Sequence, residues 1–294
     1  MNYNRRNNPH KPTKTAHLYV FLWFAKVKYV KSSSFSYSIK FAQSLFYRFN
    51  QNELVHNKLQ ILWLYSELLQ NVASFKFEKC TFFPQWGENY PLSKERCGLM
   101  VMGRACNGWH SKSLDINILF GTSDESIFNR MDQMRWVETF AGSKSGYNTN
   151  RSAFWRVAKH IAQSFYPDEW YSYVAWSNVC KVAPWEGGNP NNKLYNAQLE
   201  SCRRIFAEEI RLFSPRFVVM FTGESWAIDF LMYLNDNKKP VKIEQLSWDG
   251  YQCNVYNIKG IYFIVTEHPQ GKKEAIHAEC IISFIKAIID NEMQ

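Results

Sequence analysis

Three short apolar runs, each bounded by turn-forming residues, constrain the fold of this chain more than any other feature. They occupy residues 99–102, 217–221 and 261–265. Short apolar runs without alternation are typical of strands buried on both faces of a parallel sheet. Segments with helical spacing separate these runs, so the order of elements predicts an α/β fold. We expect a three-layer α/β/α sandwich with a central, mostly parallel four-stranded sheet.

The remaining predicted elements fit the same architecture. Residues 171–179 complete the central strands, and residues 241–246 and 252–258 alternate around Asp249-Gly250, a dipeptide typical of hairpin turns. Helical spacing predicts helices near residues 54–75, 125–140, 151–165, 196–213 and 273–289. In sheets of this kind, ligands bind at the carboxyl ends of the strands.

The distribution of charge along the chain predicts three segments. Residues 1–40 hold eight Lys and Arg residues and no acidic residue, so we expect a basic, poorly ordered extension. We expect residues 41–77 to form a helical extension packed on the core, and residues 78–294 to form the α/β domain. The apolar stretch at residues 18–25 is too short to span a membrane, and no small-residue cleavage site follows it. Neither a membrane anchor nor a signal peptide is therefore predicted.

Net charge and cysteine content limit the partners and the compartment. The formal net charge is +9, which favours a polyanionic partner. The seven cysteines form no CxxC pair and are odd in number, which predicts reduced thiols in a cytoplasmic protein. The Cys and His residues show no metal-ligand spacing, so no metal site is predicted.

Polar residues collect directly after three of the predicted strands. The first loop begins at Gly103 and places Arg104, Ala105 and Asn107 at a strand end. The glycine permits a tight turn and a close approach of the backbone to a ligand. Taken alone, this loop is also consistent with a plain connection between a strand and a helix.

The second and third loops carry an amide and an imidazole. Asn178 ends a strand and offers both a donor and an acceptor, the complement needed to read the edge of a pyrimidine. Asparagine is also a common turn former, and Lys181 follows it closely. The third loop runs from His268 through Pro269, Gln270, Gly271, Lys272 and Lys273. Its two ammonium groups could contact phosphate.

In their order and context, these segments resemble the uracil-DNA glycosylase superfamily. Residues 98–103 resemble the strand that enters the family's first loop, and residues 177–181 resemble its second signature. Residues 267–269 resemble its late His-Pro loop. Residues 146–157 are similar to the equivalent stretch of the mismatch-directed uracil/thymine branch. The resemblance covers about two-thirds of the chain.

The resemblance implies a site and a chemistry. Asn178 would hydrogen-bond the flipped base, and His268 would donate to the uracil O2 and stabilise the leaving anion. Tyr147 stands where the mismatch branch has the aromatic residue that stacks on the base. The implied substrate site also includes Gly103, Arg104, Ala105 and Lys181. The loop formed by Pro269, Gln270, Gly271, Lys272 and Lys273 would contact DNA.

The first loop departs from the family pattern. In the active branches an Asp, Asn or Glu near this point usually orients the attacking water, whereas this chain has Ala105 two residues after the glycine. Asn107 is the nearest substitute, and we expect it to act with His268 in catalysis. The iron–sulfur branches need four cysteines with a close early pair, which this sequence lacks, so no cluster and no other cofactor is expected.

Two functions follow from these residues. The first is a monofunctional DNA glycosylase that hydrolyses the N-glycosidic bond of uracil or a related damaged base flipped from DNA. The second is a catalytically inactive module of the same fold that binds nucleic acid or a nucleotide. A nucleotide-handling enzyme is disfavoured, because the sequence has neither a GxGxxG nor a GxxxxGK[ST] motif. DNA is the expected partner, and we expect a monomer.

Overall fold

The computed structural model describes residues 51–90, 97–108, 111–120, 133–144 and 147–292. The strands there are β1 (Lys79–Thr81), β2 (Gln85–Trp86), β3 (Leu99–Gly103), β4 (Ala175–Asn178), β5 (Val182–Pro184), β6 (Phe217–Met220), β7 (Lys242–Trp248), β8 (Tyr251–Ile258) and β9 (Ile261–Thr266). The α-helices are α1 (Gln51–Val72), α2 (Ile116–Leu119), α3 (Trp136–Thr139), α4 (Ala153–Gln163), α5 (Asn192–Phe213), α6 (Glu224–Leu234) and α7 (Glu274–Glu292).

One mixed sheet of seven strands organises the described residues, in the order β2-β4-β3-β6-β9-β8-β7. Strands β4, β3, β6 and β9 are parallel neighbours, whereas β2, β8 and β7 pair in antiparallel fashion. The predicted α/β class is confirmed. The expected four-stranded sheet is too small, because the hairpin of β7 and β8 extends one edge and the two-residue β2 extends the other. Strands β1 and β5 form a separate two-stranded ribbon.

Helices cover both faces of this sheet. Because successive side chains in a strand point to opposite faces, Met100 and Met102 join one buried cluster, and Leu99 and Val101 join the other. Side chains of α1, α5 and α6 pack in the first cluster, and those of α4 and α7 pack in the second. The sheet is therefore the middle layer of three.

Most predicted elements agree with the structure within a few residues. The helix expected over residues 196–213 is α5, which begins earlier because the Asn191 side chain accepts from the Leu194 N–H at 3.0 Å and caps the first turn. The predicted hairpin is β7–β8. Its turn has Asp249 at φ 52° and Gly250 at φ 81°, as a two-residue turn with two left-handed positions requires.

The strand expected over residues 171–179 is shorter than predicted. Its first part is a 3-10 turn, Trp170–Tyr173, and the strand begins at Ala175. The backbone at Glu169 is left-handed (φ 45°), and the Ser172 N–H donates to its carbonyl at 2.7 Å, which closes the turn. Aromatic and β-forming residues in this stretch therefore pack as a turn.

Some predictions fall on residues outside the described ranges. The extension at residues 1–40 lies outside them, as does the first half of the helix expected at residues 125–140. The described end of that helix is a 3-10 turn, Gln133–Arg135, followed by α3. Among the described residues, no helix combines the length and the apolar character needed to cross a bilayer.

Candidate active site

The carboxyl ends of β3 and β4 place a buried amide against a glycine. Gly103 and Asn178 are register partners in the parallel pair, and the Asn178 side chain is only 2% exposed. A Cβ on Gly103 would lie 2.5 Å from Asn178 Oδ1, so only glycine leaves room for the amide here. Among the described residues, Asn178 Nδ2 has no hydrogen-bond partner. Leaving such a donor unpaired costs about 1–3 kcal/mol, which a ligand acceptor at this point would recover.

The imidazole of His268 lies in the loop after β9. Its Nδ1 accepts from the Gln270 N–H at 3.2 Å, so in the neutral ring the proton is on Nε2. Burial lowers the pKa of His268, and the positive charges of Arg104 and Lys272 lower it further. The ring is therefore held neutral, with one N–H available as a donor.

Phe154 connects these two groups. Its Cε2 lies 3.5 Å from the point where a Gly103 Cβ would be, beside the Asn178 amide. Its ring is stacked on His268, with centroids 6.5 Å apart and planes 27° apart, and it packs edge-on against Phe221 at 5.2 Å. The amide and the imidazole thus share one aromatic wall.

The first loop is tied to the turn that follows β6. The Arg104 side chain donates from Nε to the Thr222 carbonyl at 2.6 Å, and its guanidinium lies 5.6 Å from the centroid of Trp226. The Gly223 N–H donates in turn to the Thr266 carbonyl at 2.8 Å. The charge of Arg104 is thereby fixed near the end of β9, where the loop of His268 begins.

The other two residues expected in the first loop differ in exposure. Ala105 is half-buried and packs on the apolar clusters, so it presents no polar group. Asn107 is exposed, and its Oδ1 accepts from the Gly188 N–H at 3.1 Å. Asn107 therefore braces the loop after β5, and its Nδ2 is the group left to face a ligand or water.

A protein-family model matches the part of the chain that holds Asn178 and His268. Residues 138–274 match the model of the family described as the uracil DNA glycosylase superfamily. This part of the chain is a uracil-DNA glycosylase superfamily domain. No curated protein sequence gave a match. The matched range contains Tyr147, Asn178, Lys181 and the loop of His268, whereas the first loop at Gly103 lies ahead of it.

Lys181 occupies a different place in this superfamily site from the one expected. Its side chain is completely buried (0% exposed), 2.8 Å from the Glu209 carboxylate and 2.9 Å from Ser177 Oγ. Its Nζ also donates to the backbone carbonyl of Asn178. The expected direct contact of Lys181 with a substrate is therefore corrected. Its ammonium contacts Ser177 and Asn178 of β4 within the core, because Glu209 of α5 supplies a buried carboxylate as its partner.

Tyr147 lies at the outer end of an aromatic row. The side chain is 45% exposed, and its ring centroid is 6.4 Å from that of Trp136. Trp136 in turn lies 5.6 Å from Trp176 of β4. The expected stacking of Tyr147 on a base stays a prediction.

The loop after His268, which resembles the superfamily's His-Pro loop, has an exposed tip. Pro269 is buried, whereas Gln270 and Gly271 are exposed. Gly271 has φ 77°, a left-handed conformation that favours glycine. The tip is a turn on the surface, and its contact with DNA stays a prediction.

Both lysines of this loop have acidic neighbours. Lys272 lies 2.9 Å from Glu267, and its Nζ is 4.6 Å from the Tyr251 ring centroid. Lys273 is largely exposed and lies 3.0 Å from Asp249 in the β7–β8 turn. Exposed pairs such as Lys273–Asp249 are weak, so a phosphate could displace that carboxylate. The Lys272 side chain is only 11% exposed, so its pair with Glu267 is more shielded.

Three neighbours of the site were missed by the sequence reasoning. Phe154 belongs to the apolar stripe of α4, and nothing local distinguishes it from the core. His277 is buried in α7, with Nε2 3.1 Å from Thr266 Oγ1. Glu209 alone had a usable pattern, because it shares the apolar face of α5 with Ile205, and a charge on such a face indicates a buried partner.

Proposed function

We propose that this chain is a monofunctional DNA glycosylase that hydrolyses the N-glycosidic bond of uracil, or of a related damaged base, flipped out of DNA. The observation that carries the proposal is the buried, unpartnered Nδ2 of Asn178 beside Gly103. An amide can donate from Nδ2 to a pyrimidine carbonyl and accept from a ring N–H at Oδ1. This is the pattern that the edge of uracil presents, and reading it recovers part of the cost of base extrusion.

The state of His268 fits the departure of an anionic base. Breaking the glycosidic bond leaves negative charge on the base, and fixed donors and positive charges stabilise that charge in a desolvated site. The neutral ring donates from Nε2, because Nδ1 is occupied by the Gln270 N–H. The positive charges of Arg104 and Lys272 lie close enough to lower the pKa of His268. The same charges would stabilise the negative charge on the leaving base.

Activation of water has weaker support in the first loop. Ala105 offers no polar group, and Asn107 uses its Oδ1 on the Gly188 N–H. We therefore propose that stabilisation of the leaving base supplies most of the rate enhancement and that Asn107 assists through its Nδ2. Removing Asn107 should then cost much less activity than removing His268.

Contacts with DNA complete the proposal. The exposed tip at Gln270 and Gly271, flanked by Lys272 and Lys273, is the surface expected to meet the strand that carries the flipped base. Tyr147 is the aromatic group expected to stack on that base. The net charge of +9 favours association with the phosphate backbone.

A strand-nicking assay tests the proposal. Labelled oligonucleotides with uracil opposite guanine, uracil opposite adenine, or uracil in a single strand are incubated with the protein and then treated with alkali. We expect cleavage at the uracil that is lost in His268→Ala and Asn178→Ala. A preference for uracil opposite guanine would place the chain with the mismatch-directed branch.

Matched variants away from the site control for folding. His160→Ala removes an exposed histidine paired with Glu279, and Asn257→Ala removes an exposed asparagine that caps the Gly260 turn. Both should cleave like the unmodified protein. Absence of cleavage on all three substrates, from protein shown to be folded, would refute uracil excision and shift the assignment to the inactive binding module or to another base.

A further inference from the structure

A buried polar cluster lies directly behind the base-reading residue. Lys181 is 0% exposed and Glu209 is 1% exposed, and their charged groups are 2.8 Å apart. Ser177 Oγ donates to the Glu209 carboxylate at 2.8 Å and accepts from Lys181 Nζ at 2.9 Å. The Lys181 ammonium also donates a hydrogen bond to the backbone carbonyl of Asn178.

Stability alone does not account for such a cluster. Taking two charges out of water costs about as much as their attraction returns, and apolar residues of similar volume often serve as well in a core. The contact with the Asn178 carbonyl is what distinguishes this pair from a generic buried ion pair. This contact fixes the backbone carbonyl of Asn178, the residue whose side-chain amide lies against Gly103.

The same peptide is fixed from the other side by β3. The Val179 N–H donates to the Gly103 carbonyl at 3.0 Å, and the Cys180 N–H donates to the Arg104 carbonyl at 2.9 Å. Lys181 closes this turn from within the core, so the end of β4 is held at two successive peptides, the first of them through both its carbonyl and its N–H. An amide that reads a base edge needs this rigidity, because binding groups must be held within about 0.5 Å of the productive geometry.

We propose that Lys181, held by Glu209 and Ser177, is a positioning residue that sets the orientation of the Asn178 amide. This inference rests on the proposed role of Asn178 in reading the base. It places Lys181 behind the site, with no direct contact to the substrate.

The informative variant removes both charges together. Single replacements leave one charge buried and unpaired, which destabilises the fold for reasons unrelated to positioning. Lys181→Met combined with Glu209→Leu keeps the volume and removes the contact with the Asn178 carbonyl. We expect the double variant to unfold near the temperature of the unmodified protein, yet to lose about 100-fold in the single-turnover rate of uracil release, the scale of a 1 Å misplacement. The ratio of its release rates for uracil and for cytosine should also fall.

Amide hydrogen exchange provides a readout that does not depend on activity. In the folded double variant, exchange at Val179 and Cys180 should be faster than in the unmodified protein, while exchange elsewhere in the sheet stays unchanged. A folded double variant with unmodified turnover, discrimination and exchange would overturn the inference and leave the proposed function standing. If the unmodified protein excises nothing, the proposed function fails, and exchange at these two amides still decides whether the cluster positions the turn.

A second variant covers the case in which the double variant does not fold. Ser177→Ala removes one hydroxyl from the cluster and leaves both charges paired. We expect a several-fold loss of excision and faster exchange at Val179. Unmodified values for both measurements in this variant would overturn the inference.

Discussion

Replacing Gly103 with alanine should damage the site while leaving the fold intact. The added Cβ would lie 2.5 Å from Asn178 Oδ1, whereas ordinary contact begins at 3.4 Å, so the amide must retreat by about 0.9 Å. Displacements of about 1 Å cost roughly 100-fold in rate when the displaced group positions a substrate. The backbone at Gly103 is not left-handed, so alanine introduces no conformational strain there.

The assay compares rate and stability in the same preparation. Single-turnover uracil release should fall by roughly 100-fold in Gly103→Ala, with thermal unfolding within a few degrees of the unmodified protein. Adding Asn178→Ala removes the clash, so the double variant should be at least as stable as Gly103→Ala and equally inactive. A folded Gly103→Ala protein that excises uracil at close to the unmodified rate would show that the amide tolerates displacement, and the proposed positioning by Gly103 would then be wrong.

Three further predictions concern pH and the first loop. Burial and nearby positive charges lower the pKa of His268 from its ordinary 6.5, so the rate of excision should decline with falling pH only below pH 6.5. A pH–rate profile in which this decline has its midpoint above pH 6.5 would contradict the prediction. Burial lowers the pKa of His277 from 6.5 to about 4, so the stability contributed by its neutral ring is complete above pH 6.5 and is lost as the pH falls toward 4. Urea unfolding should show about 3 kcal/mol less stability at pH 4 than at pH 7 from this group, and His277→Asn should lack that difference. Asn107→Ala should reduce excision by less than about tenfold, because Asn107 already uses its Oδ1 on the Gly188 N–H. His268→Ala should reduce excision by about 100- to 1,000-fold, and equal losses in the two variants would contradict the proposed division of roles.

The central strands and the hairpin were predictable because their patterns are local. The run at residues 99–102 is apolar at every position, since helices cover both faces of β3. Asp249-Gly250 specifies its turn through the left-handed conformations that it adopts. By contrast, β1, β2 and β5 have two or three residues each, too few to show any period, and pairing partners far along the chain define them.

The candidate site was predictable only where position along a strand determines it. Asn178 ends β4 and His268 follows β9, and parallel pairing brings such strand ends to one edge of the sheet. The burial of Lys181 could not be predicted in this way, because its partner Glu209 lies 28 residues further on, in another layer. The contact of Phe154 with His268 likewise depends on how α4 packs across the sheet.

The proposed function requires the Asn178 amide and the His268 imidazole to act on one flipped uracil. Its most direct test is mass-spectrometric detection of free uracil released from a uracil·guanine duplex, compared among the unmodified protein, Asn178→Ala, His268→Ala and His160→Ala. We expect free uracil from the unmodified protein and from His160→Ala, and a loss of about 100-fold or more in the two site variants. No uracil from folded unmodified protein, or equal release from all four proteins, would contradict it.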